Sequence, residues 1–137
     1  MFDNKFPPNT EKPPTKKILL AEDDNSVRRF IEIILQRANY EVLSAEDGLS
    51  AMKIASENKI HAVVSDAMMP NLTGYDLCRI LRQNPQFNET PFILLSGFQN
   101  ESEENQADAY LVKDNNLKEN LIQTLSSLFL SKELQPS

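Results

Sequence analysis

Short apolar runs alternate with helical patterns along most of the chain, and this alternation constrains the fold more than any other feature. Five runs of four or five residues have the apolar composition of buried strands. These runs are Lys17–Ala21, Glu41–Ala45, Ala62–Asp66, Phe92–Ser96 and Ala109–Val112. Strands that alternate with helices form a parallel sheet with helices on both of its faces. The sequence therefore predicts an α/β fold, a doubly wound parallel sheet of five strands.

The connections between these runs carry helical periodicity. In the first connection, apolar residues recur three and four positions apart, which predicts an amphipathic helix with Asp24 or Asn25 as its N-cap. Its apolar stripe consists of Val27, Phe30, Ile31, Ile34 and Ala38. Further helices are predicted after Gly48, after Gly74 and across the last apolar stretch. Residues 99–108 are rich in acidic side chains and poor in apolar ones, which predicts a short, poorly packed helix.

Composition excludes several classes of function. The chain has 14 Lys and Arg against 20 Asp and Glu, a net charge of -6, so we expect no direct binding of nucleic acid. A single cysteine, Cys78, and a single histidine, His61, exclude an internal disulfide and Cys- or His-rich metal clusters. No apolar run approaches the roughly 18 residues that span a bilayer, and no signal peptide is recognisable. We therefore expect a cytoplasmic protein without membrane insertion.

The distribution of proline indicates where the folded domain begins. Half of the eight prolines lie within the first 15 residues, among polar side chains that cannot bury enough apolar surface to order the segment. We predict a disordered, proline-rich tail over 1–15, one domain over 16–130 and a C-terminal tail over 131–137.

Polar side chains follow four of the five predicted strands at the point where each strand ends. Asp23 and Asp24 follow the first strand, Asp66 ends the third, Ser96 ends the fourth, and Lys113 follows the fifth. The carboxyl ends of parallel strands meet at one edge of the sheet, where open α/β sheets bind ligands. Each residue alone has an ordinary structural explanation, such as a helix cap or a turn, but together they predict a site.

Three carboxylates at one edge of a sheet need a counter-charge, because each carboxylate raises the pKa of its neighbours. Oxygen ligands without Cys or His select Mg²⁺, Mn²⁺ or Ca²⁺, and a site with few protein ligands suits Mg²⁺ best. A cation, an ammonium group and a hydroxyl together bind a phosphoryl group. One carboxylate would remain as a nucleophile.

Four segments resemble the receiver domain of two-component response regulators. They are Lys17-Ile-Leu-Leu-Ala-Glu-Asp-Asp24, Val63-Val-Ser-Asp66-Ala-Met-Met-Pro70 with Gly74 beyond it, Ser96-Gly97, and Ala109-Tyr-Leu-Val-Lys113. The resemblance covers residues 16 to about 130, in the family's order and spacing. It implies a flavodoxin-like sheet with strand order 2-1-3-4-5. It also implies a stand-alone, CheY-like regulator, because no output module follows.

The resemblance assigns a role to each site residue. Asp66 would accept the phosphoryl group from a histidine kinase or a histidine phosphotransfer protein, or from a small acyl phosphate. Asp24 and the backbone carbonyl of Met68 would bind Mg²⁺ (or Mn²⁺) together with Asp66, and Asp23 would act through a metal-bound water. The chain would then be a phosphoacceptor rather than an enzyme.

Three further residues would transmit the phosphorylation signal. Lys113 would pair with the phosphoryl oxygens, Ser96 would hydrogen-bond one of them, and Tyr110 would move inward as the switch residue. The changed surface would comprise the predicted helix at 99–108, the fifth strand and the last helix, and it would bind an unknown downstream protein.

Two further residues bear on the predicted function, one after Lys113 and one on the first helix. The family has proline after the switch lysine, across a cis bond, whereas Asp114 follows Lys113 here. A non-proline cis bond costs about 3 to 4 kcal/mol, so the bond is either strained or trans with a rebuilt loop. On the first helix, Ile33 lies off the apolar stripe, and we predict that it is exposed and helps to dock the phosphodonor.

Two other functions stay open at this stage. A receiver-like domain that has lost its chemistry could serve as a phosphorylation-independent interaction module, which the missing proline favours. A metal-dependent phosphatase with an aspartyl nucleophile would also use carboxylates, Mg²⁺ and Lys. That class resembles Asp-x-Asp after the first strand, whereas this chain has adjacent Asp23 and Asp24 and no cap-sized insertion.

Overall fold

The computed structural model describes residues 16–97 and 106–134. The predicted N-terminal tail lies outside the described residues, as does most of the predicted helix at 99–108. Five parallel strands form one sheet in the order β2-β1-β3-β4-β5. The strands are β1 (Lys17–Ala21), β2 (Glu41–Ala45), β3 (Ala62–Asp66), β4 (Phe92–Ser96) and β5 (Ala109–Val112). The predicted strands and their order are confirmed.

Four helices connect or follow the strands within the described residues. They are α1 (Asn25–Arg37), α2 (Gly48–Glu57), α3 (Gly74–Arg82) and α4 (Leu117–Leu134). Helix α4 runs four residues past 130, so residues 131–134 are helical and do not belong to the tail that we predicted from 131. From Leu117 onwards, no glycine or proline interrupts the sequence until Pro136. Within the last turns, Lys132 forms an ion pair with Glu89 at 3.5 Å.

The two faces of the sheet carry separate apolar cores, as a doubly wound fold requires. Alternate strand residues point to opposite faces because the side-chain period of a strand is two. Leu19, Val63 and Leu94 face α2 and α3, in a core with Ala51, Ala55, Leu77 and Leu81. Leu20, Val64 and Leu95 face α1 and α4, in a core with Ile31, Leu35, Leu121 and Leu125. All of these side chains are buried.

Local capping fixes where three helices begin. The Asp24 carboxylate accepts a hydrogen bond from the Val27 amide at the start of α1, and the Asp47 carboxylate does the same for Ser50 at the start of α2. Helix α3 begins with a capping box in which Thr73 and Asp76 bond to each other's backbone amides. Each cap satisfies amide groups that have no partner inside the helix.

The exposed apolar side chain of α1 is Phe30 and not Ile33. Phe30 is 53% exposed, whereas Ile33 is partly buried. Helix α1 turns Ile31, Ile34 and Leu35 towards the sheet, and Phe30 lies about 100° around the helix from Ile31. Our prediction of an exposed Ile33 is therefore wrong, and so is the placement of Phe30 within the buried stripe.

Candidate phosphoryl and metal site

Three carboxylates meet at the carboxyl edge of the sheet, beside the point where the strand order reverses. Glu22 and Asp23 follow β1, and Asp66 is the last residue of β3. One carboxylate oxygen from each of the three lies within 4.8 Å of the others. Glu22 and Asp66 are buried and Asp23 is exposed, so the group opens to solvent on one side. This is the edge where the sequence predicted a ligand site.

Asp24 does not belong to this group, although we predicted it as a direct metal ligand. Its Oδ1 accepts a hydrogen bond of 2.9 Å from the Val27 amide, and its own amide donates to Glu22 Oε2 at 3.1 Å. The side chain therefore caps α1. Glu22 takes its place in the cluster.

The sequence contained the signal for this exchange. A helix whose stripe starts at Val27 needs a cap about three residues earlier, and Asp24 is the residue at that distance. Once Asp24 caps the helix, the pair left at the end of β1 is Glu22 and Asp23. The two roles proposed for Asp24 compete for the same carboxylate, and only the cap agrees with the geometry.

Lys113 contacts two of the carboxylates. Its Nζ lies 2.8 Å from Glu22 Oε1 and 3.2 Å from Asp66 Oδ1. Burial alone would lower the pKa of this ammonium group, but the contacts with Glu22 and Asp66 outweigh it, and the pKa is raised. Lys113 therefore stays charged in its half-buried position. Its backbone amide donates to the Ser96 carbonyl at 2.7 Å, which links the ends of β4 and β5.

Glu22 is a carboxylate almost without solvent, since only 1% of the residue is exposed. Burial raises its pKa, and the nearby charge of Asp66 adds to the rise, while the hydrogen bonds from Lys113 and the Asp24 amide oppose it. A site with this much buried negative charge favours a cation.

Asp66 is held firmly at the base of the site. The residue is 7% exposed, and its Oδ1 accepts a hydrogen bond of 3.3 Å from the Met68 amide. The Ser65 hydroxyl donates to the Asp66 carbonyl at 2.9 Å. The Met68 side chain is 63% exposed beside it. The role of the Met68 carbonyl as a metal ligand stays a prediction.

The two predicted switch residues lie on β4 and β5, the two strands on one side of β3. Ser96 is buried at the end of β4, in register with Val112 of β5. Tyr110 is partly buried and packs against the core that contains Leu77 and Leu94. The structure thus brings Asp66, Ser96 and Lys113 to one edge, with Tyr110 on β5, the strand that leads to Lys113. The movements predicted for Ser96 and Tyr110 stay predictions.

The Lys113–Asp114 bond is trans, since no peptide bond within 16–97 and 106–134 is cis. Of the two possibilities that the sequence left open, a rebuilt loop with a trans bond is therefore the one adopted.

The residues present fit a divalent cation. Their oxygen atoms form a hard, all-carboxylate donor set, and Asp23 leaves room for water on the exposed side. Both oxygens of Glu22 are engaged, Oε1 by Lys113 and Oε2 by the Asp24 amide, whereas the contacts of Asp66 with Lys113 and the Met68 amide both use Oδ1. Exposed Asp23 and the second oxygen of Asp66 are therefore the best placed to bind a cation. The cluster is thus compatible with Mg²⁺ and Mn²⁺ alike.

The fold and this cluster define a class of phosphoryl-accepting signalling domains, and comparison with known proteins agrees. The response regulator receiver domain matches residues 18–126, and the chain belongs to this family. The probable transcriptional regulator ycf27 of Galdieria sulphuraria is 37% identical over 109 residues, 76% of this chain and 42% of that protein. Response regulator ArlR of Staphylococcus saprophyticus is 33% identical over 75% of this chain and 48% of its own length. This chain spans less than half of these two relatives.

Solved structures give the same fold. The chemotaxis response regulator CheY4 of Vibrio cholerae is 30% identical, with a TM-score of 0.77 over 84% of this chain and 99% of that one. The receiver domain of a sensor histidine kinase from Pseudomonas aeruginosa PAO1 is 27% identical, with a TM-score of 0.75 over 84% of this chain and 98% of its own. That structure has a magnesium ion coordinated in its active site cleft.

A membrane-spanning helix is not found in the part of the chain that the structure describes.

Proposed function

We propose that this chain is a single-domain response regulator whose Asp66 accepts a phosphoryl group in a Mg²⁺-dependent reaction. The observation that carries the proposal is the contact between Lys113 Nζ and Asp66 Oδ1, at 3.2 Å, beside the carboxylates of Glu22 and Asp23. An ammonium group at this distance from a nucleophilic carboxylate lies where it can neutralise an incoming phosphoryl oxygen.

The reaction needs only one nucleophile and a phosphoryl donor. One Asp66 oxygen attacks the phosphorus of a phosphohistidine, or of a small acyl phosphate, and forms an acyl-phosphate bond. The bond from phosphorus to the histidine nitrogen, or to the acyl oxygen, breaks, and its electron pair leaves with the donor. The donor is released as a free imidazole or a free carboxylate, with no covalent bond to this chain. The domain acts as a phosphoacceptor and not as an enzyme that releases product.

Bound Mg²⁺ would neutralise phosphoryl oxygens and orient the donor. We assign Asp23 and Asp66 as its direct carboxylate ligands, together with the Met68 carbonyl. Glu22, which bonds to Lys113 and to the Asp24 amide, would act through a water molecule. This assignment moves the predicted acidic pair back by one residue, from Asp23 and Asp24 to Glu22 and Asp23.

Phosphorylation would be sensed by the ends of β4 and β5. The Ser96 hydroxyl would donate to a phosphoryl oxygen, and Tyr110 would move inward beside it. Ser96 lies on β4, which pairs with β3, and Tyr110 lies on β5, which pairs with β4, so a shift at Asp66 reaches the surface of β5 and α4 through successive neighbouring strands. We propose that this surface binds a downstream protein.

Helix α1 is the surface we propose for docking the phosphodonor, a histidine kinase or a histidine phosphotransfer protein. It begins beside Glu22 and Asp23, and it exposes Phe30 next to Arg29, whose side chain is 67% exposed. An exposed aromatic side chain with a neighbouring arginine is typical of energetically important interface residues. Phe30 thus replaces Ile33 as the proposed docking residue.

The proposal is tested by measuring the intact mass of the protein after incubation with acetyl phosphate and Mg²⁺. We expect the gain of one phosphoryl group, lost when Mg²⁺ is removed with a chelator and lost in Asp66→Asn. Equal phosphorylation without Mg²⁺ would contradict the proposed metal dependence. No gain in a folded protein, with acetyl phosphate or with a phosphorylated histidine donor, would favour the phosphorylation-independent interaction module.

A further inference from the structure

The turn between β5 and α4 is held by a set of hydrogen bonds centred on Asp114. The Asp114 amide donates to the Val112 carbonyl at 2.9 Å, which closes a γ-turn around Lys113. The Asp114 carbonyl accepts from the Leu117 amide at 3.0 Å. The Asp114 Oδ1 accepts from the Asn116 amide at 2.9 Å, which is an Asx turn. One residue therefore bonds to the strand before it and to the helix after it.

Both ends of this turn are anchored. The Lys113 amide donates to the Ser96 carbonyl at 2.7 Å, so the strand side is tied to β4. On the helix side, Leu117 is 3% exposed and packs in the core with Leu121 and Leu125. Between these anchors, the direction in which the Lys113 side chain leaves the backbone depends on the turn itself.

We propose that Asp114 is a positioning residue whose backbone and carboxylate fix the turn that directs the Lys113 ammonium group onto Asp66. The inference rests on the proposed function, in which Lys113 neutralises a phosphoryl oxygen. A proline at this position has no amide hydrogen, so it could not close the γ-turn. The carboxylate contributes separately, because Oδ1 restrains the Asn116 amide and with it the entry into α4.

The bonds around Asp114 explain why this trans bond suits the site. Lys113 does not have a positive φ, so the turn around it is the inverse γ-turn that is common at strand ends, and it turns the chain within a single residue. That residue is Lys113, whose Nζ nevertheless lies 2.8 Å from Glu22 Oε1 and 3.2 Å from Asp66 Oδ1. A hydrogen-bonded turn thus holds the Lys113 ammonium group beside Asp66.

The test compares three variants of the full chain. Both substitutions at position 114 remove the negative charge. Asp114→Ala also removes the side-chain acceptor, whereas Asp114→Asn keeps an oxygen acceptor. Asn84→Ala is the matched control, because Asn84 Oδ1 accepts from the Gln86 amide at 2.9 Å in an equivalent Asx turn of an exposed loop outside the site. The first readout is the rate constant of phosphorylation by acetyl phosphate with saturating Mg²⁺.

We expect Asp114→Ala to slow phosphorylation about fivefold, the effect of losing one hydrogen bond that positions a reacting group. Asp114→Asn and Asn84→Ala should stay within about twofold of the wild type. An equal rate in Asp114→Ala and Asn84→Ala would overturn the inference. A loss in Asp114→Asn as large as that in Asp114→Ala would also overturn it, since charge and not the acceptor would then matter.

A second readout separates this inference from the proposed function. The NMR chemical shifts of the Lys113 ε-methylene group report its ion pairs with Glu22 and Asp66 in the unphosphorylated protein. We expect them to move in Asp114→Ala and to stay in Asp114→Asn and Asn84→Ala. If the wild type takes up no phosphoryl group, the proposed function fails, but the positioning of Lys113 is still decided by these shifts. Unchanged shifts in Asp114→Ala would refute it.

Discussion

The acidic run after β1 divides its carboxylates between two tasks. Glu22 and Asp23 belong to the carboxylate cluster with Asp66, whereas Asp24 caps α1 through the Val27 amide. Neighbouring residues of identical or similar charge thus differ in function because the backbone turns from strand to helix within three positions. Substitution of each residue separates the tasks.

We predict that Asp23→Asn lowers the rate of phosphorylation by acetyl phosphate at least about hundredfold, because a direct ligand of the cation is lost. Asp24→Ser should stay within about twofold of the wild type, since a serine side chain also caps a helix. The rates are measured by intact mass at several Mg²⁺ concentrations.

Asp24→Ala provides the control for the cap. Loss of the cap in Asp24→Ala should lower the free energy of unfolding by about 1 kcal/mol, whereas Asp24→Ser should keep the stability of the wild type. If Asp24→Ser lost phosphorylation as severely as Asp23→Asn, the assignment of Asp24 to the cap alone would be wrong.

The hydrogen bond and the burial of His61 lead us to predict that the stability of the protein depends on pH. Its Nδ1 accepts a hydrogen bond of 2.9 Å from the Lys17 amide, which requires the unprotonated nitrogen. Burial lowers the pKa of His61 from the ordinary value of 6.5, and the charges of Lys16, Lys59 and Lys17 lower it further. The unfolded chain therefore binds a proton at a higher pH than the folded chain does.

The sign follows from that difference in proton binding. Well above pH 6.5 both states are neutral at His61, and the stabilising contribution is complete. As the pH falls below 6.5, the unfolded state gains a proton first, so the free energy of unfolding decreases until the folded pKa is reached. Urea unfolding between about pH 7.5 and about pH 5.5 should show a steeper loss in the wild type than in His61→Asn. Equal slopes would contradict the prediction.

At the scale of elements, helix α3 approaches the site strand more closely than a side chain would permit. A Cβ added at Gly74 would collide with the Asp66 carbonyl and would lie 2.8 Å from Leu94 Cδ2. This close approach requires glycine at the first residue of α3. The start of α3 thereby helps to fix the backbone of the phosphoacceptor.

We predict that Gly74→Ala lowers the free energy of unfolding by about 2 to 3 kcal/mol, because backbone and core must shift to admit the methyl group. Gly97→Ala is the matched control, since a Cβ at Gly97 meets no atom within 4 Å among residues 16–97 and 106–134, and the change should stay within about 0.5 kcal/mol. Urea unfolding measures both. Equal stability of the two variants would show that α3 can withdraw from Asp66 at little cost.

For helix α1 we predict that Phe30 takes part in recognition of the phosphodonor. Phe30→Ala should slow phosphotransfer from a histidine donor active on the wild type at least about tenfold, and leave phosphorylation by acetyl phosphate unchanged. Leu130→Ala is the control, because Leu130 is also exposed, at 56% against 53% for Phe30, but lies on α4. Equal slowing by both variants, or none by Phe30→Ala, would remove α1 from the proposed docking surface.

At the scale of the whole molecule, the strands were predictable because each is a short apolar run bounded by polar residues. The alternation of strands with helices then implied a parallel sheet, and the resemblance to receiver domains implied its order. The choice between two possible roles or environments for a single side chain was harder to predict. Whether Asp24 caps a helix or turns towards a cation depends on backbone direction, and whether Phe30 or Ile33 is covered depends on how α1 is rotated on the sheet.

The site is assembled only by the complete fold. Its residues come from β1, β3, β4 and β5 and are as far apart in sequence as Glu22 and Lys113, which are 91 residues apart. Periodicity could place each residue at a strand end, but the hydrogen bonds around Asp114 follow from the actual path of the turn. The sequence therefore pointed to the edge of the sheet, and the structure was needed to distinguish the residues at that edge.

Of the carboxylates at the edge of the sheet, we propose Asp66 as the one that carries the phosphoryl group. The most direct measurement treats the protein with acetyl phosphate and Mg²⁺, reduces the acyl phosphate with borohydride, and locates the resulting homoserine by peptide mass spectrometry. We predict homoserine at position 66, none at 23 or 24, and no reduction of Glu22 to its longer side-chain alcohol. Modification at one of those three positions, with position 66 unchanged, would contradict the account.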